Sequence, residues 1–230
     1  MALVGVASAT ESDITPITLG VTFDDCAQAT ASAVTLSVEG VMTGSVASLV
    51  QTDTTNGVSL KISGAAGRDK AVFTPDTNVG DGTPWTATFN FENVDKALTS
   101  LDSINLGVVL FSGGGDYQTS YASWTGDITF AATITDSTTA SQLGTFAYTL
   151  TPESGRGSTP FNITLSGTSI DLTDVSSFNM ELKLTETLGT GTFAGLKTMG
   201  FTGTPVVPEP TTATLSLLAL AGLAARRRRK

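Results

Sequence analysis

The chain has 230 residues, enough for one large or two small domains, with no histidine and a single cysteine. Ser-His-Asp and Cys-His nucleophilic systems, His-ligated zinc or copper, and any intramolecular disulfide are thereby excluded. The formal charge of −9 hides an asymmetry: without Arg226 to Lys230, 7 basic residues face 21 acidic ones, or −14. Nucleic acid is an unfavourable partner for such a body, which should stay soluble and be repelled by anionic headgroups.

In chain order, Met1 to Val6 is apolar and leads into Ala7-Ser8-Ala9, a small-x-small sequence like a signal-peptidase site. The apolar stretch is short and lacks a basic residue before it, so residues 1–9 are expected to be the remnant of a signal peptide. Period-2 alternation then predicts strands through Ile17, Leu19, Val21 and Phe23, through Val34, Leu36 and Val38, and through Val58, Leu60 and Ile62. Further strands are predicted at Trp85 to Phe91, Ile104 to Leu110, Trp124 to Ile134, Phe146 to Leu150 and Phe161 to Leu165. Phe178, Met180, Leu182 and Leu184 give the cleanest alternation. A last strand through Leu196, Met199 and Phe201 changes phase, which predicts a bulge at Thr198.

Turn signals separate these runs: Asn56-Gly57, Asp81-Gly82, Gly113-Gly114-Gly115-Asp116 and Glu153-Ser154-Gly155-Arg156-Gly157. No segment before the tail keeps a 3.6-residue period. About ten half-buried strands imply an all-β body at residues 10–204, an antiparallel β-sandwich of jelly-roll type with two sheets face to face. A linker and one short C-terminal hydrophobic helix are expected after it.

Candidate chemistry is sparse. Glycoside hydrolysis needs paired carboxylates across a cleft, and Glu181-Leu182-Lys183-Leu184-Thr185-Glu186 has a lysine between its acids, out of phase with the apolar side of its strand. No catalytic residue, cofactor or metal is therefore expected, although Asp76, Asn78 and Asp81 leave open a calcium loop against the simpler reading of Asx turns. Cys26 reads as a small buried residue. The sequon Asn162-Ile163-Thr164 falls on a predicted strand and carries no weight. Trp85 and Trp124 share phase with core positions. Tyr117 and Tyr121, with Asp116, instead come after three glycines in a polar loop, and are candidate glycan contacts.

At the C-terminus, Val207-Pro208-Glu209-Pro210 precedes an apolar run, Thr211 to Ala225, that ends in Arg226-Arg227-Arg228-Arg229-Lys230. The prolines keep Glu209 in an extended segment that helix and sheet cannot absorb. As a helix, 211–225 would span roughly 22 Å, short of a hydrocarbon core of about 30 Å. It needs its basic end as a stop on the cytoplasmic side.

These parts, in this order, resemble the PEP-CTERM sorting signal of exported proteins in Gram-negative bacteria. The resemblance implies Pro208, Glu209 and Pro210 as recognition motif, 211–225 as a transient inner-membrane segment, 226–230 as the stop, and an exosortase, a membrane-embedded enzyme, as partner. It makes 205–230 the signal. Trp85-Thr86-Ala87-Thr88-Phe89, Leu98 to Ile104 and Thr192 to Thr204 also resemble stretches of PEP-CTERM proteins with lectin-like or jelly-roll-like bodies. The resemblance thus implies a non-catalytic protein exported across the inner membrane, held there by its tail before processing, then placed at the cell surface or in extracellular matrix. The alternative is a glycan-binding module delivered by the same signal, with extracellular polysaccharide as partner.

Overall fold

The computed structural model describes residues 15–24, 35–51, 60–62, 73–75, 84–112, 126–151, 161–186 and 192–207. Most of them lie in strands: β1 (Ile17–Asp24), β2 (Thr35–Val38), β3 (Thr43–Gln51), β4 (Leu60–Ile62), β5 (Phe73–Pro75), β6 (Trp85–Glu92), β7 (Ser100–Ser112), β8 (Ile128–Asp136), β9 (Gln142–Leu150), β10 (Phe161–Asp171), β11 (Ser177–Glu186) and β12 (Thr192–Gly203). Among the described residues a 3-10 turn, Val94–Lys96, lies between β6 and β7.

Alternation fixes which face of each strand is inside. On β11, Phe178, Met180, Leu182 and Leu184 are buried while Glu181 and Lys183 are exposed. β11 lies between β6 and β8, which places Leu182 opposite Ala87 on one side and Ala132 on the other. A large residue flanked by two small ones fills its row without crowding. Slipping β11 by one residue would turn all four apolar side chains to solvent, so the register is strongly specified.

The strands form one curled antiparallel sheet. From β1 the pairings run through β2, β3, β6, β11, β8, β9, β10, β7 and β12, and β12 pairs back onto β1. The expected sandwich is thus present with its layers joined, one layer centred on β6 and β11, the other on β7 and β12. At one join β1 pairs with β12 through its first half and with β2 through its second. At the other, β9 and β10 meet only at Ser166–Ala147 and Gly167–Phe146. Closure of this kind leaves few free sheet edges. The short β4–β5 ribbon adds to β12 at Leu196–Phe73.

Aromatic rings hold the layers together. Phe201 on β12 meets Phe91 on β6 edge-on, with centroids 4.8 Å apart and planes at 89°. It also meets Phe178 on β11 at 5.9 Å and 84°. Phe91 and Phe178 lie 5.2 Å apart within their own layer. Edge-to-face contacts suit the ring quadrupole, with positive edges against negative faces.

Two strands depart from simple alternation. In β3 the partner register passes from Val46–Phe89 to Ser48–Thr88, so Ala47 is an extra residue. That bulge separates Val46 and Leu49 by three positions, which a period of two does not detect. β5 is too short to alternate. The bulge expected near Thr198 is present: β12 passes from Leu196–Val108 to Thr198–Gly107, leaving Lys197 as the added residue. Val58, Trp124 and the expected helix at 211–225 lie outside the described residues, among which no helix is long and apolar enough to cross a membrane.

Because the pairings are antiparallel, strand ends collect at two poles. The short connections 39–42, 93–99, 137–141 and 172–176 close one pole, where the chain also enters β1 and leaves β12. Strand ends flanking 25–34, 52–59, 76–83, 113–125, 152–160 and 187–191 lie at the other. The loop carrying Tyr117 and Tyr121 therefore connects strands at the pole opposite the C-terminal exit.

Candidate functional site

Two places carry functional interest: the exit of the chain toward its tail, and a shallow uncharged depression on the outer face of β1, β12, β7 and β10. Both are built from residues that alternate with the core.

At the exit, the residues after β12 continue to pair with the β6–β7 connection. Thr204 N donates to Ser100 Oγ at 3.1 Å, and Thr99 N donates to Thr204 O at 2.8 Å. Pro205 forms a bridge with Leu98, and Val206 N donates to Ala97 O at 3.0 Å. Leu98 beneath them is buried. Gly203 makes the approach feasible, because a Cβ there would run into the Ser100 carbonyl. The expected boundary at 204 falls inside this pairing, which holds the backbone through Val206. Val207 is 55% exposed.

The turns at this pole are rigidified by carboxylates. Asp136 accepts from Thr138 N at 2.7 Å and from Thr139 Oγ1 at 2.8 Å. Asp171 accepts from Thr173 N at 2.9 Å and Thr173 Oγ1 at 2.6 Å. For Asp136 the backbone N–H of Thr138, and for Asp171 the Thr173 hydroxyl, leads in holding the carboxyl below the usual aspartate range.

The depression holds about 400 Å³ and is lined by the polar Thr18, Asn105, Asn162, Thr198 and Thr202, by Gly20, Gly107 and Gly200, and by the apolar Leu106 and Met199. A row of polar side chains crosses four strands beside it. Thr164 Oγ1 donates to Asn105 Oδ1 at 2.9 Å, and Asn105 Nδ2 donates to Thr202 Oγ1 at 2.9 Å. Thr18 and Thr202 share a hydroxyl hydrogen bond at 2.9 Å. Gly107 keeps the floor open, since a Cβ there would collide with Thr198 Oγ1. The lining is uncharged, while Glu39 folds over the edge to accept from Gly20 N at 3.1 Å. Neutral hydroxyls and amides on a shallow floor can exchange hydrogen bonds with another neutral polyol. They offer no nucleophile, base or metal ligand set.

Among side chains that are described, Trp85, Phe89, Phe91, Phe130, Phe178 and Phe201 are buried, and Tyr148 packs half-buried against the core. Trp85 is thus a core residue, as its phase predicts. Glu181 stands on the outer face opposite Thr88 and Thr133, and Lys183 opposite Thr86 and Ala131. Asn162 and Thr164 lie exposed on β10 either side of buried Ile163. Asp116, Tyr117, Tyr121, Cys26, Asp76, Asn78, Asp81, Pro208 to Pro210, 211–225 and Arg226 to Lys230 lie outside the described residues. Sequence reasoning misses the residues of the polar row. Alternation marks each as outward-facing, but only the register brings Thr18, Thr202, Asn105 and Thr164 into one line.

Residues 206–230 match the PEP-CTERM protein-sorting motif, so the chain carries a sorting signal of that class at its C-terminus. Such a signal implies export and processing of the tail by an exosortase. Among curated proteins, none matches the chain. Solved structures to which it is similar include the family 11 carbohydrate-binding module from Clostridium thermocellum in complex with a β-1,3-1,4-mixed-linked tetrasaccharide. Identity is 12%, over 80% of this chain and 96% of that one, with a TM-score of 0.34. Another is TmCBM61 in complex with β-1,4-galactotriose, 8% identical over 68% of this chain and 83% of that one, TM-score 0.32. A third, the arabinose-bound MgGH51 α-L-arabinofuranosidase, is 10% identical over 69% of this chain but 23% of the enzyme, TM-score 0.32. At such identity and TM-score the likeness is loose and gives this chain neither a ligand nor an activity.

Proposed function

We propose that this is an exported, non-catalytic protein of the cell surface or extracellular matrix, delivered through its C-terminal signal. The observation that carries the reading is the sorting motif at 206–230, which begins where the β body ends its last pairing. In this reading an exosortase recognises Pro208, Glu209 and Pro210 while 211–225 holds the chain in the inner membrane. Arg226 to Lys230 stop the segment at the cytoplasmic face, and the body folds on the opposite side. A structural role for the body is supported by its outer face, where Thr and Asn side chains hydrogen-bond to one another across strands.

Fractionation of tail variants in the native host tests this. Pro208→Ala with Pro210→Ala should leave full-length protein in the inner membrane, because the apolar run is intact but Glu209 can join a helix. Replacing Arg226 to Lys230 with Ser should let unprocessed protein leak outward, because a run of roughly 22 Å has little else to stop it. Normal processing of the proline variant would mean that the motif is not what is read.

A second reading, a glycan-binding module, is favoured by the neutral depression beside Thr18, Asn105 and Thr202, with Asp116, Tyr117 and Tyr121 as further proposed contacts. Calorimetric titration with the host's extracellular polysaccharide distinguishes the two. Binding that Asn105→Ala weakens would support a lectin-like role. No heat with either chain would leave the structural role.

A further inference from the structure

Resting on the exosortase reading above, we infer that the pole of the body from which the tail emerges docks against the exosortase during processing. The tether is too short for any other arrangement. Val206 N is fixed to Ala97 O at 3.0 Å, and Glu209 is three residues further on, so it lies within about 11 Å of that anchor however the chain runs. Thr211, where the apolar run begins, lies within about 18 Å. The polar layer on each side of the hydrocarbon is itself roughly 5–8 Å thick. Layers packed about 10 Å apart, with strands about 4.8 Å apart within them, make the pole as broad as the tether is long. The body therefore cannot swing clear of whatever holds Pro208-Glu209-Pro210.

The chemistry of that pole indicates what it meets. Every exposed large hydrophobic among the described residues is there: Ile17 (38% exposed) opposite Gly203, Val41 (54%) in the β2–β3 turn, and Val207. Around them stand Glu39, Asp95, Asp136, Asp171 and Asp174, with Lys96 as the cation of the same turns. Asp136 and Asp171 are held ionised by their Thr donors. An anionic bilayer would repel this surface, whereas a protein with a basic rim around an apolar spot would complement it. The partner is accordingly the membrane enzyme, and its outward-facing rim should be basic.

The test compares processing half-times in the native host for the parent chain and for D95K/D174K, each with and without about twelve Gly/Ser residues inserted between Val207 and Pro208. The insert adds a mean reach of roughly 20 Å. In the uninterrupted chain the charge reversals should slow processing at least about fivefold, because like charges then face each other across the contact. With the insert the two chains should be processed at equal rates. Equal half-times without the insert overturn the docking, and so does a slowing that the insert fails to relieve, because that would mark a folding defect. Binding of the chain ended at Val207 to phosphatidylglycerol vesicles would overturn it in favour of a lipid surface. If the parent chain is not processed at all, the exosortase reading falls first and the docking with it.

Discussion

Phe201→Ala should remove the contact that binds the two layers. The ring is fully buried, and it meets Phe91 and Phe178 edge-on from the opposite layer. Truncating a core Phe to Ala costs about 3–5 kcal/mol, and the two edge contacts, each worth about 0.5–1.5 kcal/mol, place this site near the upper part of that range. We expect a loss of about 4–5 kcal/mol. Phe201→Leu keeps most of the apolar volume and should lose only about 1–2 kcal/mol. Val41→Ala, in an exposed turn, should stay within about 0.5 kcal/mol. Urea unfolding of the chain ended at Val207, monitored by fluorescence, measures all three. With a slope of about 2 kcal/mol/M, Phe201→Ala should lower the midpoint by about 2 M. A midpoint no lower than that of Val41→Ala would refute packing of the layers through this cluster.

Other expectations concern the exit and its turns. Gly203→Val should break the pairing of 204–206 with 97–100, because its side chain meets the Ser100 carbonyl; hydrogen exchange at the Val206 amide, bonded to Ala97 O in the parent, should then be faster than in the parent. The folded state holds Asp136 and Asp171 below their ordinary pKa, so their stabilisation is complete above about pH 4 and is lost as pH falls through the depressed values. The double variant D136N/D171N should accordingly show a flatter acid limb in a plot of stability against pH, with little change in slope between pH 5 and 8.

Much of the body is legible from alternation alone. β6 and β11 have one apolar and one polar face, and β8 departs from this only at outward-facing Ala131, so the period of two assigns both the strand and its buried side. β3 is not legible because its bulge at Ala47 breaks the phase, and β5 because it is only Phe73–Pro75. Joining of the layers is also beyond reach. It depends on β1 changing partners at Val21, a long-range choice that leaves no local periodicity. The tail is readable because its information is chemical and contiguous: two prolines about a glutamate, an apolar run and a basic end. The polar row has the opposite character. Thr18, Asn105, Thr164 and Thr202 are far apart in sequence and ordinary one by one, and only strand register makes them neighbours.

In the proposed function, 206–230 is read and processed by an exosortase after export of the body. Intact mass of the protein recovered outside the inner membrane, from hosts with and without that enzyme, tests it most directly. With the enzyme, the recovered mass should lack the apolar run and the basic end, 211–230, and should retain Thr204 to Val206, which are paired into the body. Without it, full-length tail should stay in the inner-membrane fraction. The same mass and the same location in both hosts would contradict the account.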